Sequence, residues 1–250
     1  MRLITLADPE ALRREAADRI EALARAKPSA VLGLPTGNTP LGTYRELVRR
    51  VRDPDLALSQ LTIFALDEYL DVGRGDPCCL ADWLEREFIQ PGRIHPTRVH
   101  TLNGLTPDPL QMCAEYEAAI ARAGGIDLQL LGLGPNGHVG FNEPGSSPDS
   151  RTRAVRLAPE SITSNARYWG GPDRVPPHGL TMGIGTLKEA REILLLVSGP
   201  NKANILRKVI EGPMTSDVPA SLLRTHPHFT ILADGDAAAQ LEVKLVRADD

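Results

Sequence analysis

The sequence predicts an α/β protein built on a doubly wound, mostly parallel β-sheet, and two observations carry that prediction. Short apolar runs recur along the chain and alternate with segments of helical periodicity, the pattern expected when crossover helices bury both faces of the strands. The 250 residues, 42% of them apolar, suffice for one core, and no internal repeat or long linker divides them. The reading is therefore one domain over residues 1–250.

After a short apolar start, Leu12, Ala16, Ile20 and Leu23 recur at intervals of three and four, which predicts an amphipathic helix over residues 9–26. Asp8 and Pro9 suit its cap and first turn. The run AVLGLP (30–35), the punctuation TGNTP and helical spacing from Leu41 to Val51 predict strand, turn and helix. Further strands are predicted at LTIFALD (61–67), DLQLLGLG (127–134), EILLLVSG (192–199) and HFTILAD (228–234). Helices are predicted at 80–89, 109–122, 201–211 and 217–223. The stretch 144–180, rich in Pro, Gly and Ser, reads as an irregular functional loop or lid.

Composition removes several function classes. The net charge of −4 arises from 28 basic and 32 acidic side chains that are well mixed, leaving no basic field for a nucleic-acid backbone. Cys78, Cys79 and Cys113 are odd in number, and the adjacent pair is poorly placed to bond to itself, which fits a reducing cytoplasm. The opening MRLITLADPEALRREAADRI is too interrupted by charge for a signal peptide or membrane span. Neither nucleic acid nor membrane is an expected partner.

Ligands of doubly wound sheets bind beyond the carboxyl ends of the strands, and four strand ends here carry polar residues. The turn containing Thr36, Gly37, Asn38 and Thr39 can offer backbone N–H groups to a phosphate at a helix N-terminus, or can be an ordinary turn capped by Thr39. It lacks the GxxxxGK[ST] spacing of a nucleotide loop. Asp67 and Glu68 follow the run LTIFAL; one carboxylate can reach the cleft while its neighbour points away, and Asp67 is the candidate base, with helix capping or a turn as the alternative. The segment from Gly132 to Pro144 places His138, Glu143, Asn136 and Asn142 in one glycine-rich bend, where the carboxylate can orient the imidazole and stabilise its charged form. No second histidine or cysteine stands nearby at metal-ligand spacing, so no metal is expected. The fourth set is cationic, Arg167 and Lys202: Lys202, at the start of a helix after a strand, can meet a phosphate, and either can instead be a solvated surface charge.

Taken together, GLPTGNTPLGTYREL, FALDEYLDV, LLGLGPNGHVGFNEPGSS, SRTR and TMGIGTLKEAREILLLVSGPNKANIL resemble, in this order, the glucosamine-6-phosphate deaminase family. The resemblance implies a three-layer α/β/α, Rossmann-like fold and conversion of glucosamine 6-phosphate to fructose 6-phosphate and ammonia, without cofactor. By position it implies that Asp67 moves a proton between carbons 2 and 1, that His138 opens the sugar ring, and that Glu143 supports it. The phosphate is then expected among Thr36, Gly37, Asn38, Thr39, Arg167 and Lys202. Asn136 stands where some members carry an aspartate; an amide can orient the ring but cannot balance its charge. Arg153 matches one cation of the family's effector site, but Val155 occupies a position usually held by lysine, which argues against allosteric activation. The short tail LEVKLVRADD points to a monomer or small homo-oligomer. The segment GDPCCLADWLEREFIQP is closer to galactosamine-6-phosphate isomerases, which keeps that epimer as an alternative. Sugar-phosphate lactonases share the glycine-histidine step, and a sugar-phosphate sensor without turnover is the non-enzymatic alternative.

Overall fold

The structure, a computed structural model, describes residues 1–51 and 58–242. In chain order the elements are β1 (Arg2–Leu6), α1 (Pro9–Ala26), β2 (Val31–Leu34), α2 (Asn38–Arg50), β3 (Thr62–Ala65), β4 (Asp67–Tyr69) and α3 (Leu80–Leu84). They continue as β5 (Val99–His100), α4 (Pro109–Arg122), β6 (Leu128–Gly132), β7 (Arg153–Arg156), α5 (Pro159–Trp169), β8 (His178–Thr181) and α6 (Ile184–Lys188). The last are β9 (Glu192–Val197), α7 (Ala203–Glu211), β10 (Phe229–Asp234) and α8 (Gly235–Ala238).

Seven strands form a parallel sheet in the order β1-β10-β9-β6-β2-β3-β5. Strand β9 shows how its sequence builds three layers. Ile193, Leu195 and Val197 enter one apolar core with residues of α4, α6 and α7, whereas Leu194 and Leu196 enter the other with α1 and α2. Successive strand side chains point to opposite faces, so an unbroken apolar run is what a strand between two helical layers requires. Helix α1 starts as predicted, with the Asp8 carboxylate accepting from the Ala11 N–H at 2.7 Å and Pro9 in the first turn.

Departures from the predicted elements matter because they shape the cleft. The run 61–67 stops as β3 at Ala65, and β4 pairs antiparallel with β8, which pairs in turn with β7 in a second, three-stranded sheet. The stretch 144–180 is irregular only to 152; beyond that it holds β7, α5 and the start of β8. Pro159 opens α5 and Gly170 closes it in the left-handed region at φ 71°. Helix α2 starts a turn before Leu41, and Gly37 rather than Thr39 is its N-cap. The segment 80–89 is α-helical only to Leu84 and continues as a π-turn, and the 217–223 helix is a 3₁₀ segment over Pro219–Thr225. The apolar start is the edge strand β1. Most of the tail LEVKLVRADD lies outside the described residues.

Candidate active site

The carboxyl ends of β2, β6 and β9, with the residues that follow β3, open into a cleft of about 760 Å³ whose far wall is α5. Thr36, Gly37, Asn38, Thr39, Asp67, His138, Arg167 and Lys202, drawn from five separate segments, all line it. Glu143 and Asn136 stand behind His138 rather than on the cleft wall.

Asp67 sits where the chain leaves the main sheet for the second one. Its residue is 7% exposed and its Oδ1 is buried without a hydrogen-bond partner. Burial, and then the neighbouring Glu68 charge, push its carboxyl up to about 7. Glu68 is satisfied in the opposite direction: it accepts from the backbone N–H groups of Tyr69, Leu80 and Ala81 at 2.8–3.0 Å and from the Cys79 thiol at 3.3 Å. It thereby caps α3 and holds the loop before α3 against the strand carrying Asp67. Burial still raises its carboxyl above the usual range, with those bonds opposing.

His138 lies against Gly134, where an added Cβ would approach the ring Nε2 to 2.2 Å; only glycine leaves room for the imidazole. Glu143 Oε2 stands 3.3 Å from His138 Nδ1, and the Ser161 hydroxyl of α5 stands 3.1 Å from the same nitrogen. Asn136 does not touch the ring. Its Nδ2 donates to Glu143 Oε2 at 3.0 Å and its Oδ1 accepts from the His138 backbone N–H at 3.2 Å. The expected orienting role of this amide thus runs through the carboxylate and the main chain, because the bend points its side chain inward. Burial acts to raise the Glu143 carboxyl, but bonds from His138, Ser161 and Asn136 outweigh it and leave it below its usual range.

At the other end of the cleft, Gly37 caps α2 with φ 103° and no side-chain cap bond, leaving the helix start open toward the cleft. Lys202 follows β9 in the turn Pro200–Lys202. That turn is pinned by buried Asp234, which accepts from the Ser198 hydroxyl at 2.6 Å and from the Gly199 N–H at 3.0 Å. Burial, then the Arg167 charge, hold the Lys202 ammonium below its usual range. The Arg167 guanidinium donates to Tyr168 Oη at 2.8 Å and lies over that ring; two cations in a partly buried cleft beside an open helix N-terminus can attract an anion.

Sequence reasoning missed Ser161 and Asp234. Both are single polar residues in unremarkable contexts, and only the fold carries each to its partner. Arg153, the residue matching the effector cation, donates to Asn142 Oδ1 at 2.9 Å and to Ser146 Oγ at 3.1 Å. Val155 packs on a small apolar cluster around Tyr69 and Phe141. Among the described residues no group of three His, Cys, Asp or Glu side chains is placed to hold a metal ion. Nor, among them, is any helix long and apolar enough to cross a membrane.

The profile of the glucosamine-6-phosphate isomerases/6-phosphogluconolactonase family matches residues 7–231. The chain belongs to this family. Within it, the chain is 44% identical over 243 residues to the glucosamine-6-phosphate deaminase of Arthrobacter sp. strain FB24, covering 97% of this chain and 94% of that one. It is 41% identical to glucosamine-6-phosphate deaminase 2 of Bacillus subtilis strain 168, covering 97% and 98%. A solved monomeric glucosamine-6-phosphate deaminase superposes with a TM-score of 0.93 at 41% identity, over 96% of this chain and all of that one. The 6-phosphogluconolactonase of Thermotoga maritima matches at a TM-score of 0.73 and 21% identity, over 93% and 99% of the two chains, which shows a shared fold alone.

Proposed function

We propose that this family member converts glucosamine 6-phosphate and water to fructose 6-phosphate and ammonia. The observation that carries the reading is the buried, unpartnered carboxylate of Asp67 in one cleft with His138, which Glu143 backs, and with the cations Arg167 and Lys202. Enolisation beside a carbonyl needs a positioned base whose pKa lies near neutrality, and Asp67 has that environment. The deaminase relatives at 41–44% identity support the same activity.

In this reading the sugar phosphate binds at the start of α2, with Arg167 and Lys202 pairing its charge. His138 transfers the proton between the anomeric hydroxyl and the ring oxygen, which opens the ring, and ionised Glu143 stabilises the imidazolium formed on the way. Asp67 then removes the proton from carbon 2 of the open-chain aldehyde and returns one to carbon 1. The product is the imine at carbon 2, and water adds to it and expels ammonia, leaving the ketose. α5 with β7 and β8 acts as the lid of the cleft, the protein works as a monomer like its solved relative, and its place is the cytoplasm.

Ammonia release from glucosamine 6-phosphate and galactosamine 6-phosphate, measured side by side without added metal or nucleotide, tests this. Release from the gluco epimer is expected; release from the galacto epimer alone would reassign the substrate. Silence with both would leave the lactonase or sensor reading, which hydrolysis of 6-phosphogluconolactone separates.

A further inference from the structure

The hydroxyl of Ser161 is buried, on the first turn of a helix whose later turns line the cleft, and it faces neither solvent nor its own helix cap. It stands 3.1 Å from His138 Nδ1, and it is among the groups that hold the Glu143 carboxyl below its usual range. Glu143 Oε1 accepts from the backbone N–H of Ala158, the N-cap of the same helix, at 3.3 Å. The start of α5 is therefore docked on the His138–Glu143 pair through two separate contacts.

We infer that Ser161 is a positioning residue for His138, the third member of a Glu143–Ser161–His138 arrangement supplied by the segment proposed as the lid. A hydroxyl has one proton and two lone pairs. Ionised Glu143 is an acceptor only, and its Oε2 at 3.3 Å and the Ser161 oxygen at 3.1 Å converge on the same nitrogen, so a proton on Nδ1 is the arrangement that satisfies both. In this arrangement Nδ1–H is shared between Ser161 Oγ and Glu143 Oε2, and Nε2, on the ring edge beside Gly134, is the unprotonated nitrogen. With Glu143 alone, at 3.3 Å and already accepting from Asn136, the ring would have one long contact and more rotational freedom. Placing the hydroxyl on α5 also makes the orientation of His138 depend on α5 being docked.

The inference rests on the ring-opening role given to His138, so its test uses one readout that needs no turnover. In the wild-type protein the Nδ1–H of His138 should appear as a downfield, slowly exchanging proton resonance. Ser161→Ala should speed its exchange at least about tenfold, and Ser161→Thr, which keeps the hydroxyl, should restore it. In steady-state assays Ser161→Ala should lower kcat with the closed-ring sugar about 10- to 100-fold with KM nearly unchanged, spare an open-chain analogue, and be rescued by Thr. Circular dichroism melting of each variant separates these effects from misfolding. An alanine variant that folds, keeps the slow proton and retains kcat would overturn the inference. A wild-type protein with the slow proton but no ammonia release would overturn the functional reading instead and leave the positioning role standing.

Discussion

Asp67 and Glu68 are adjacent in the chain and opposite in environment: Glu68 holds three backbone N–H groups and a thiol, whereas Asp67 Oδ1 is buried with no partner. The satisfied acid fixes the strand and adds charge beside the unsatisfied one. A buried acceptor without a donor costs stability, and here the cost falls on the group proposed to do the chemistry.

Asp67→Asn should abolish proton exchange at carbon 2 while leaving phosphate binding nearly unchanged. It should also stabilise the protein. The folded-state pKa of about 7 exceeds the 3.8 of a free aspartate, so the contribution of Asp67 is fully present below about pH 4 and is lost as pH rises through 7, by up to about 4 kcal/mol. Thermal melts should show variant and wild type alike near pH 4 and the variant higher at pH 8; a lower melting temperature at pH 8 would contradict the account.

The same shift sets a kinetic limb. The base works as the carboxylate, so kcat/KM should rise with pH through about 7. A rise centred near 4 would mean that the essential base of the free protein is not a carboxyl raised by burial, which would count against Asp67.

His138→Gln keeps a polar side chain but no acid/base group. It should cost about 100-fold or more in kcat with the closed-ring sugar and far less with an open-chain analogue. Equal losses with both would argue against ring opening as the role of His138.

Lys202→Ala and Arg167→Ala should each raise KM about 10- to 100-fold, the worth of one charge-assisted hydrogen bond, with smaller effects on kcat. Because burial and Arg167 hold the Lys202 ammonium below its ordinary range, binding of inorganic phosphate should raise its pKa. Titration of isotopically labelled lysine with and without phosphate reads this directly.

Gly134→Ala should displace the imidazole, since the new Cβ would meet Nε2 at 2.2 Å. A fall in kcat of at least about tenfold is expected, and a crystal structure of the variant should show the His138 ring moved off its present position.

Much of the architecture was legible in the sequence, because parallel strands buried on both faces must be continuous apolar runs, and EILLLVSG or HFTILAD can be little else. The main candidates were legible too, since Asp67, His138 and Lys202 stand at or just after strand ends, where a doubly wound sheet places its ligands. What failed to show were elements too short to carry a period, such as β5, β7 and β8, and the order inside 144–180, whose boundary prolines and glycines look like loop composition. Tertiary structure alone decided the partners. A serine six residues before Arg167 has no local mark that separates it from a surface serine; it meets His138 because α5 packs back over the cleft. Asn136 turned from the ring to Glu143 for the same kind of reason: the bend sets which way each side chain faces. Periodicity and strand ends are properties of neighbours along the chain, whereas the burial of the Asp67 oxygen and the meeting of Arg167 and Lys202 in one cleft depend on residues far apart in it.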